Sequence, residues 1–331
     1  MQTAIITGCT GQVGSYMTEL LLDKNYKVFG LKRRSSSLNT DRLNHIFNNP
    51  NLKLEYGDVT DYASVSNLVA KIKPTLFINC AAQSHVRVSF DIPIYTMEAT
   101  GISVLNCLEA IRTHSPETRF ITMSSSEMFG GIKGTEPQNE LTQFHPKSPY
   151  GVAKVQGYHT TVNYREAYNL FASNIIAFNN ESPRRGETFL TRKVTLAAAR
   201  IKHGLQDKLY LGNLDAQRDW SHSLDTVDAM YKIVTAPVPG DYVVASGETH
   251  SVKEFVELVF SKLGLNYEKY IAFDPIYLRN SEVDILLGDA SKIKRELGWK
   301  PKYTFEQLVD EMIESDMELA RREKVLKDNP K

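Results

Sequence analysis

Ser124-Ser125-Ser126-Glu127 and Tyr150-Gly151-Val152-Ala153-Lys154 are the two segments of this chain best suited to moving protons. In Tyr-x-x-x-Lys, one helical turn separates the two side chains, so both sit on one face. A lysine ammonium beside the phenol lowers the cost of forming a phenolate, and a tyrosine with a reference pKa of about 10 becomes a usable base. A hydroxyl from the serine cluster can bridge that phenol to a substrate oxygen. Alcohol–ketone exchange needs only Tyr, Lys and Ser. Glu127 is an additional acid/base, and it points to a second proton transfer beyond hydride exchange.

These groups need a frame, and the chain alternates strand-like with helix-like runs. The pattern predicts strands at Thr3–Thr7, Lys27–Leu31, Leu52–Tyr56, Thr75–Asn79, Arg119–Met123 and Phe171–Ala177. It predicts helices at Gly14–Lys24, Tyr62–Lys71, Tyr95–Thr113 and Tyr150–Tyr168. Such βαβ alternation implies a parallel sheet with helices on both faces. Ligands bind such sheets at the carboxyl ends of the strands, and both segments above follow strands. After Asn179 the pattern loosens into Arg192–His203 (helix), Tyr210–Gly212 (short strand), Ser251–Leu263 and Thr304–Lys324 (helices). The expected division is a large lobe over 1–179, rejoined by a crossing segment near 214–235, and a smaller lobe mainly over 180–331.

The bulk numbers fit a soluble globular chain. Among 331 residues, 42% are hydrophobic and 24% charged, an ordinary globular balance. Lys+Arg and Asp+Glu both number 39, which argues against a nucleic-acid-binding surface spread over the protein. Cys9, Cys80 and Cys107 show no paired metal spacing, so no metal site is expected and a reduced cytoplasmic compartment is. No apolar run approaches the roughly 20 residues that span a bilayer, and the N-terminus leads straight into a strand without a basic, cleavable leader.

Gly8-Cys9-Thr10-Gly11-Gln12-Val13-Gly14 lies between the first strand and the first helix. Glycines there permit a tight turn and let the backbone approach a pyrophosphate on the helix N-terminus. The second strand ends in Leu31-Lys32-Arg33-Arg34-Ser35-Ser36-Ser37. An acidic residue at that point would bind a ribose 2′-hydroxyl, whereas arginines and hydroxyls form a phosphate cradle and favour NADP. Asp58 either bonds the adenine amino group or caps the helix that follows. Ala81-Ala82-Gln83-Ser84 allows close passage of a cofactor, and His85 reads as a structural hydrogen-bonding residue.

Together with Asn180-Glu181-Ser182-Pro183-Arg184-Arg185-Gly186, Leu211-Gly212-Asn213-Leu214-Asp215-Ala216-Gln217-Arg218-Asp219-Trp220 and Glu282-Val283-Asp284, these motifs resemble the GDP-mannose 4,6-dehydratases of the extended short-chain dehydrogenase/reductase superfamily. The resemblance runs nearly end to end. It implies a doubly wound α/β fold, a parallel Rossmann sheet with a smaller α/β C-terminal substrate-binding lobe. It also implies NADP on Gly8, Thr10, Gly11, Gln12, Val13 and Gly14. Arg33, Arg34, Ser35 and Ser36 join them, followed by Asp58 and Val59 and then by Ala81, Ala82, Gln83 and Ser84. Tyr95, Tyr150, Lys154, Asn180 and Arg185 complete that set. The GDP-sugar would meet Ser84, Ser125, Glu127, Tyr150 and Asn179, then Lys193, Gly212, Arg218, Arg279 and Glu282. The weaker alternatives are a structural turn for Asn179 and surface salt bridges for Lys193, Arg218 and Arg279.

The implied chemistry accounts for Glu127. Tyr150 would take the C4 hydroxyl proton as hydride leaves C4, with Ser125 on the C4 oxygen and Lys154 on the nicotinamide ribose. Glu127 would take the C5 proton and help expel the C6 hydroxyl as water, and the hydride would return to C6. The chain departs from the family at several positions. Ser125 stands for a common Thr, Val13 for an acidic residue, Asn180 for a histidine, and Asn280-Ser281 for Pro-Thr. A GDP-linked manno-heptose is therefore an alternative to GDP-mannose, and a GDP-4-keto-6-deoxy-sugar reductase or epimerase is a further one. The loop Arg33–Arg42 is longer than one 2′-phosphate requires. By resemblance it reaches a neighbouring subunit, which implies a homo-oligomer, a dimer or tetramer.

Overall fold

Ala4 and Ile6 face one side of the first strand and Ile5 the other, and all three are buried. Burial on both faces is the mark of a central strand in a parallel sheet. The computed structural model, which describes residues 1–278 and 280–329, builds that sheet from strands within residues 3–244. In order come β1 (Thr3–Thr7), α1 (Gln12–Asp23), β2 (Lys27–Lys32), β3 (Leu52–Tyr56), α2 (Tyr62–Ile72) and β4 (Leu76–Asn79). Next are α3 (Pro93–Met97), α4 (Ser103–His114), β5 (Arg119–Ser125), α5 (Pro149–Tyr168) and β6 (Ala172–Ala177). Then follow β7 (Asn179–Glu181), α6 (Leu190–Lys202), β8 (Leu209–Leu211), β9 (Gln217–Arg218), β10 (Trp220–His222), α7 (Ser223–Val234) and β11 (Asp241–Val244). The last elements are β12 (His250–Ser251), α8 (Val252–Lys262), β13 (Ile271–Phe273), α9 (Ser291–Leu297) and α10 (Phe305–Asp328).

The main sheet has the order β11-β6-β5-β4-β1-β2-β3, and every pairing in it is parallel. The order reverses between β1 and β4, so a ligand crevice is expected at their carboxyl ends. Met17 and Leu21 of α1 and Met230 and Ile233 of α7 cover one face. Val69 of α2, Leu108 and Ile111 of α4 and Tyr164 of α5 cover the other. A separate core joins α6, α8 and α10 around Val194, Phe255, Val259 and Met312. Reciprocal capping boxes start two of these helices, Ser251 with Glu254 at α8 and Thr304 with Gln307 at α10. No helix among the described residues is long and apolar enough to cross a membrane.

Three elements differ from the sequence expectation. The helix expected over Tyr95–Thr113 is α3 and α4 separated by a π-helical stretch, Glu98–Ile102. That stretch sets Gly101 against α5, where a Cβ would lie 2.4 Å from Gln156 Oε1 and 3.0 Å from Ala153 O. β5 runs two residues past Met123, because Ser124 and Ser125 still pair with Ile176 and Ala177. The chain also stays with the large lobe beyond the segment 214–235. It adds β11 to the sheet edge, because a parallel strand comes with its crossover helix, here α7. Val283 and Leu286 then pack against Phe178 and Val243.

Two sets of buried polar side chains bridge neighbouring strands of the sheet, the first at the carboxyl ends of β1 and β4. Thr7 Oγ1 donates to Asn79 Oδ1 at 2.6 Å, and Asn79 Nδ2 donates to Thr122 Oγ1 at 3.0 Å. These residues are register partners on β1, β4 and β5. Ser124 Oγ donates to Asn174 Oδ1 at 3.1 Å, and Asn174 Nδ2 to Asp241 Oδ1 at 2.8 Å. Asp241 also receives Arg165 Nη2 at 2.6 Å and the Tyr158 hydroxyl at 3.3 Å, both from α5. Replacing Asn79 by Ala strands two buried hydroxyls and opens a void. We expect Asn79→Ala to lower stability by roughly 2–4 kcal/mol, read as a lower urea midpoint at an unchanged slope. An unchanged midpoint would show that these bonds do not hold the sheet.

Candidate active site

The carboxyl ends of the strands open into a cleft of about 980 Å³ between the lobes. Its floor is the glycine loop. Gly8 has φ +65°, a conformation that favours glycine, and a Cβ on Gly14 would lie 2.2 Å from Gly8 O. The loop backbone therefore rests directly on the first turn of α1. Gly11 begins that helix without a side-chain cap, and Gln12, Val13 and Gly14 line the cleft. Uncapped first-turn amides behind a glycine cradle suit the pyrophosphate of a dinucleotide. The Gln12 amide itself turns to the other lobe. Its Nε2 donates to Asn180 O at 2.9 Å, and its Oε1 accepts from Ser182 Oγ at 2.7 Å.

The basic segment after β2 divides. Arg33 lines the cleft and bonds the Tyr95 hydroxyl. Arg34 is exposed and bonds the Ser35 carbonyl, and Arg34, Ser35 and Ser36 are not among the residues lining the cleft. Arg42 lines it instead, donating from Nη1 to Thr10 O at 3.2 Å and from Nε to Arg184 O at 2.8 Å. Asp58 lines the cleft beside Val59, and its Oδ1 accepts from Thr60 N at 3.0 Å. The helix cap considered for Asp58 belongs to Asp61, which receives Ala63 N at 3.1 Å. Ala81, Ala82 and Ser84 line the cleft, whereas Gln83 turns away to Thr96 Oγ1 at 3.1 Å. Gln83 also holds the His85 amide at 2.7 Å, so Gln83 shapes its own loop.

Ser125, Glu127, Tyr150 and Lys154 converge on the same cleft. Ser125 ends β5 and caps a 3₁₀ turn, its Oγ accepting from Glu127 N at 3.2 Å. That turn aims Glu127 from the strand end, and the residue is 7% exposed. Ser148 caps α5, receiving Gly151 N at 3.0 Å, so Tyr150 and Lys154 stand on its first turns. Burial pushes the Tyr150 phenol up to about 12. Its hydrogen bond to Ser125 pulls down, the Glu127 charge adds to the rise, and the Arg185 charge opposes it. Lys154 does not perform the expected lowering among the protein's own groups. Its ammonium lies 5.6 Å from the Tyr150 ring centroid and donates to Met123 O, and burial brings its pKa down to about 8.

The opposite wall comes from the smaller lobe. Asn179 and Asn180 on β7 pair with Trp220 and Ser221 of β10, and both asparagines line the cleft. Arg185 lies over the Phe189 ring at 3.9 Å with its Nε 3.0 Å from Glu181 Oε2. Glu181 is buried and also accepts from Thr191 Oγ1 at 2.5 Å. Lys193 Nζ sits 3.2 Å from the Tyr277 ring centroid and donates to Tyr210 O at 2.6 Å; burial lowers its pKa to about 8. Arg218 is buried with Nη2 3.6 Å from Glu282 Oε1. Gly212 lines the cleft where a Cβ would lie 3.0 Å from Tyr277 O. Arg279 lies outside the described residues. Sequence reasoning missed Arg42, Glu181 and Trp220 as cleft residues. Only the position of Trp220 beside Arg218 offered a signal, whereas Arg42 and Glu181 arrive by tertiary packing.

The family model described as GDP-mannose 4,6 dehydratase matches residues 5–312. GDP-mannose 4,6 dehydratase 1 of Arabidopsis thaliana is 52% identical, over 98% of this chain and 92% of that protein. The Homo sapiens GDP-mannose 4,6 dehydratase is 45% identical, over 96% of this chain and 92% of that protein. Among solved structures, dTDP-glucose 4,6-dehydratase from Bacillus anthracis in complex with NAD superposes with a TM-score of 0.84 at 22% identity. It covers 95% of this chain and 96% of that one. At that identity the likeness concerns the fold.

The charge balance around Tyr150 gives a direct test. With its pKa at about 12, the phenol stays protonated in the ligand-free protein through neutral pH. The absorbance difference at the phenolate band between wild type and Tyr150→Phe should stay flat up to about pH 10. A phenolate contribution emerging near neutral pH would mean that Lys154 controls the ionisation after all.

Proposed function

The chain belongs to the GDP-mannose 4,6-dehydratase family, and from that membership we propose that it converts GDP-mannose to GDP-4-keto-6-deoxy-mannose and water. The observation that carries this reading is the convergence of Ser125, Glu127, Tyr150 and Lys154 on the cleft that the glycine loop floors. An alcohol–ketone site alone has no need of Glu127.

NADP, when bound, supplies the acceptor for the C4 hydride and the donor of that hydride to C6. Gly11, Gln12, Val13 and Gly14 would hold its pyrophosphate, and Arg33 and Arg42 would hold its 2′-phosphate. That choice over NAD rests on cations standing where a carboxylate would bind a free 2′-hydroxyl. Ser125 holds the C4 oxygen while Tyr150, as the phenolate formed once NADP⁺ and substrate fill the cleft, accepts its proton. The new carbonyl acidifies C5–H. Glu127 takes that proton and delivers it to the departing C6 hydroxyl, so one water leaves. Tyr150 returns its proton to C5, and the enzyme regains its starting state with no net redox change. Arg218 and Lys193 face the substrate diphosphate, and Glu282 faces the nucleotide ribose. The reaction is that of a hydro-lyase.

In this reading the large lobe, 1–179 with its later return to the sheet, holds the cofactor, and 180–331 mainly holds the GDP-sugar. Asn179, at the junction, contacts the diphosphate. We further infer a cytoplasmic homo-oligomer, a dimer or tetramer, from the exposed loop between β2 and Arg42.

Incubation with GDP-mannose and catalytic NADP⁺ tests the reading by mass spectrometry of the nucleotide-sugar. Loss of one water without NADPH build-up is expected, and NADPH build-up without water loss would overturn it. GDP-manno-heptose in a parallel reaction decides between the two sugars. Glu127→Gln should keep GDP-mannose binding and lose turnover by about 10²–10⁴-fold, the usual scale of a lost general acid/base. Wild-type turnover in that variant would remove Glu127 from the mechanism.

A further inference from the structure

Residues 182–186 leave β7 and join no strand or helix before α6 begins at Leu190. The carbonyls of such a turn still need partners. Ser182 O accepts from Arg185 N at 2.9 Å and Gly186 O from Phe189 N at 3.0 Å. Guanidinium groups take the three carbonyls between them. Arg192 Nη1 donates to Pro183 O, and to Arg185 O at 3.1 Å. Arg42 Nε donates to Arg184 O at 2.8 Å. Arg192 is itself fixed, because its Nε meets Asp316 Oδ1 at 2.5 Å and Thr195 Oγ1 donates to Asp316 Oδ2 at 2.6 Å. Asp316, on α10, is fully buried. From this turn Ser182 reaches Gln12 in the glycine loop, and Arg185 projects into the cleft.

We propose that Arg192, oriented by Asp316, is a positioning residue for the cofactor end of the cleft: it fixes the backbone from which Arg185 meets the dinucleotide. The proposal rests on the dinucleotide reading given above. It uses the forked geometry of a guanidinium. One edge engages the carboxylate while another nitrogen holds two carbonyls, and a lysine ammonium cannot occupy both places. The C-terminal helix thereby sets the geometry of a site that none of its side chains lines.

Arg192→Lys is the primary test, because it keeps a positive charge opposite Asp316. Calorimetric titration with NADP⁺, without sugar nucleotide, is compared with hydrogen exchange of the Arg185 and Phe189 amides, both hydrogen-bonded within the turn, and with the melting temperature. The expected result is a near-native melting temperature, faster exchange at these amides and NADP⁺ affinity weakened by about tenfold or more, the scale on which a small misplacement acts. Unchanged affinity and exchange would overturn the proposal. If Arg192→Lys does not fold, Arg192→Met with Asp316→Leu removes both charges together and leaves neither buried alone. It is read in the same way, and failure of both to fold would make the pair purely structural and end the proposal. If wild type does not bind NADP⁺, the dinucleotide reading falls, and amide exchange alone then judges whether Arg192 orders the turn.

Discussion

The site depends on one constraint, the buried polar bonds between strands that lock register from β1 across to β11. A one-residue slip would turn every side chain to the opposite face. Here a slip between β1, β4 and β5 would also separate Thr7, Asn79 and Thr122, which bond within the core. Ser124 and Asn174 carry the constraint to β6, and Asp241 carries it to β11 and to α5 through Arg165 and Tyr158. The strand that ends in Ser125 and the helix that bears Tyr150 are thus tied to the same sheet by bonds besides their own. Satisfied buried networks rigidify and specify in this way.

Much of this was legible in the sequence, and the reason is local. β1, the glycine loop and α1 follow one another without interruption, so apolar pattern and glycine spacing mark them together. The Tyr-x-x-x-Lys pair is visible because a helical turn is a fixed spacing. What was not legible depends on contacts distant in the chain. Gly101 sits in a π-helical stretch because of its neighbours on α5, and no pattern within Tyr95–Thr113 reports that approach. The seventh strand is four residues long and gains its identity from pairing with β6. Within the site, Arg33 and Arg34 are equivalent in sequence, yet only Arg33 lines the cleft. Gln83 stood in a motif of cofactor type, but its amide is spent on Thr96 and His85.

The lobes are better described by what each holds still. The large lobe fixes the groups proposed to react: Ser125 and Glu127 by a strand end, Tyr150 and Lys154 by a capped helix. The smaller lobe fixes charge. Arg185, Arg218 and Lys193 each have a bond or ring that orients them. The burial that raises the Tyr150 pKa and lowers that of Lys154 favours their neutral forms. In the proposed reaction Tyr150 must therefore ionise before it can take a proton.

The anchoring of α5 through Asp241 bears on the order in which the molecule can be assembled. Tyr150 is made long before Asp241, and the intervening chain builds β6, most of the cleft wall and α7. During synthesis, the helix that bears Tyr150 can form and collapse onto the nascent sheet. It lacks its final tether until the edge strand emerges and crosses back. Pairing so distant in the chain is slow to close, so the reactive centre is among the last parts of the large lobe to become rigid. An amino-terminal fragment carrying Ser125, Glu127, Tyr150 and Lys154 would thus still lack the strand that tethers the helix bearing the last two.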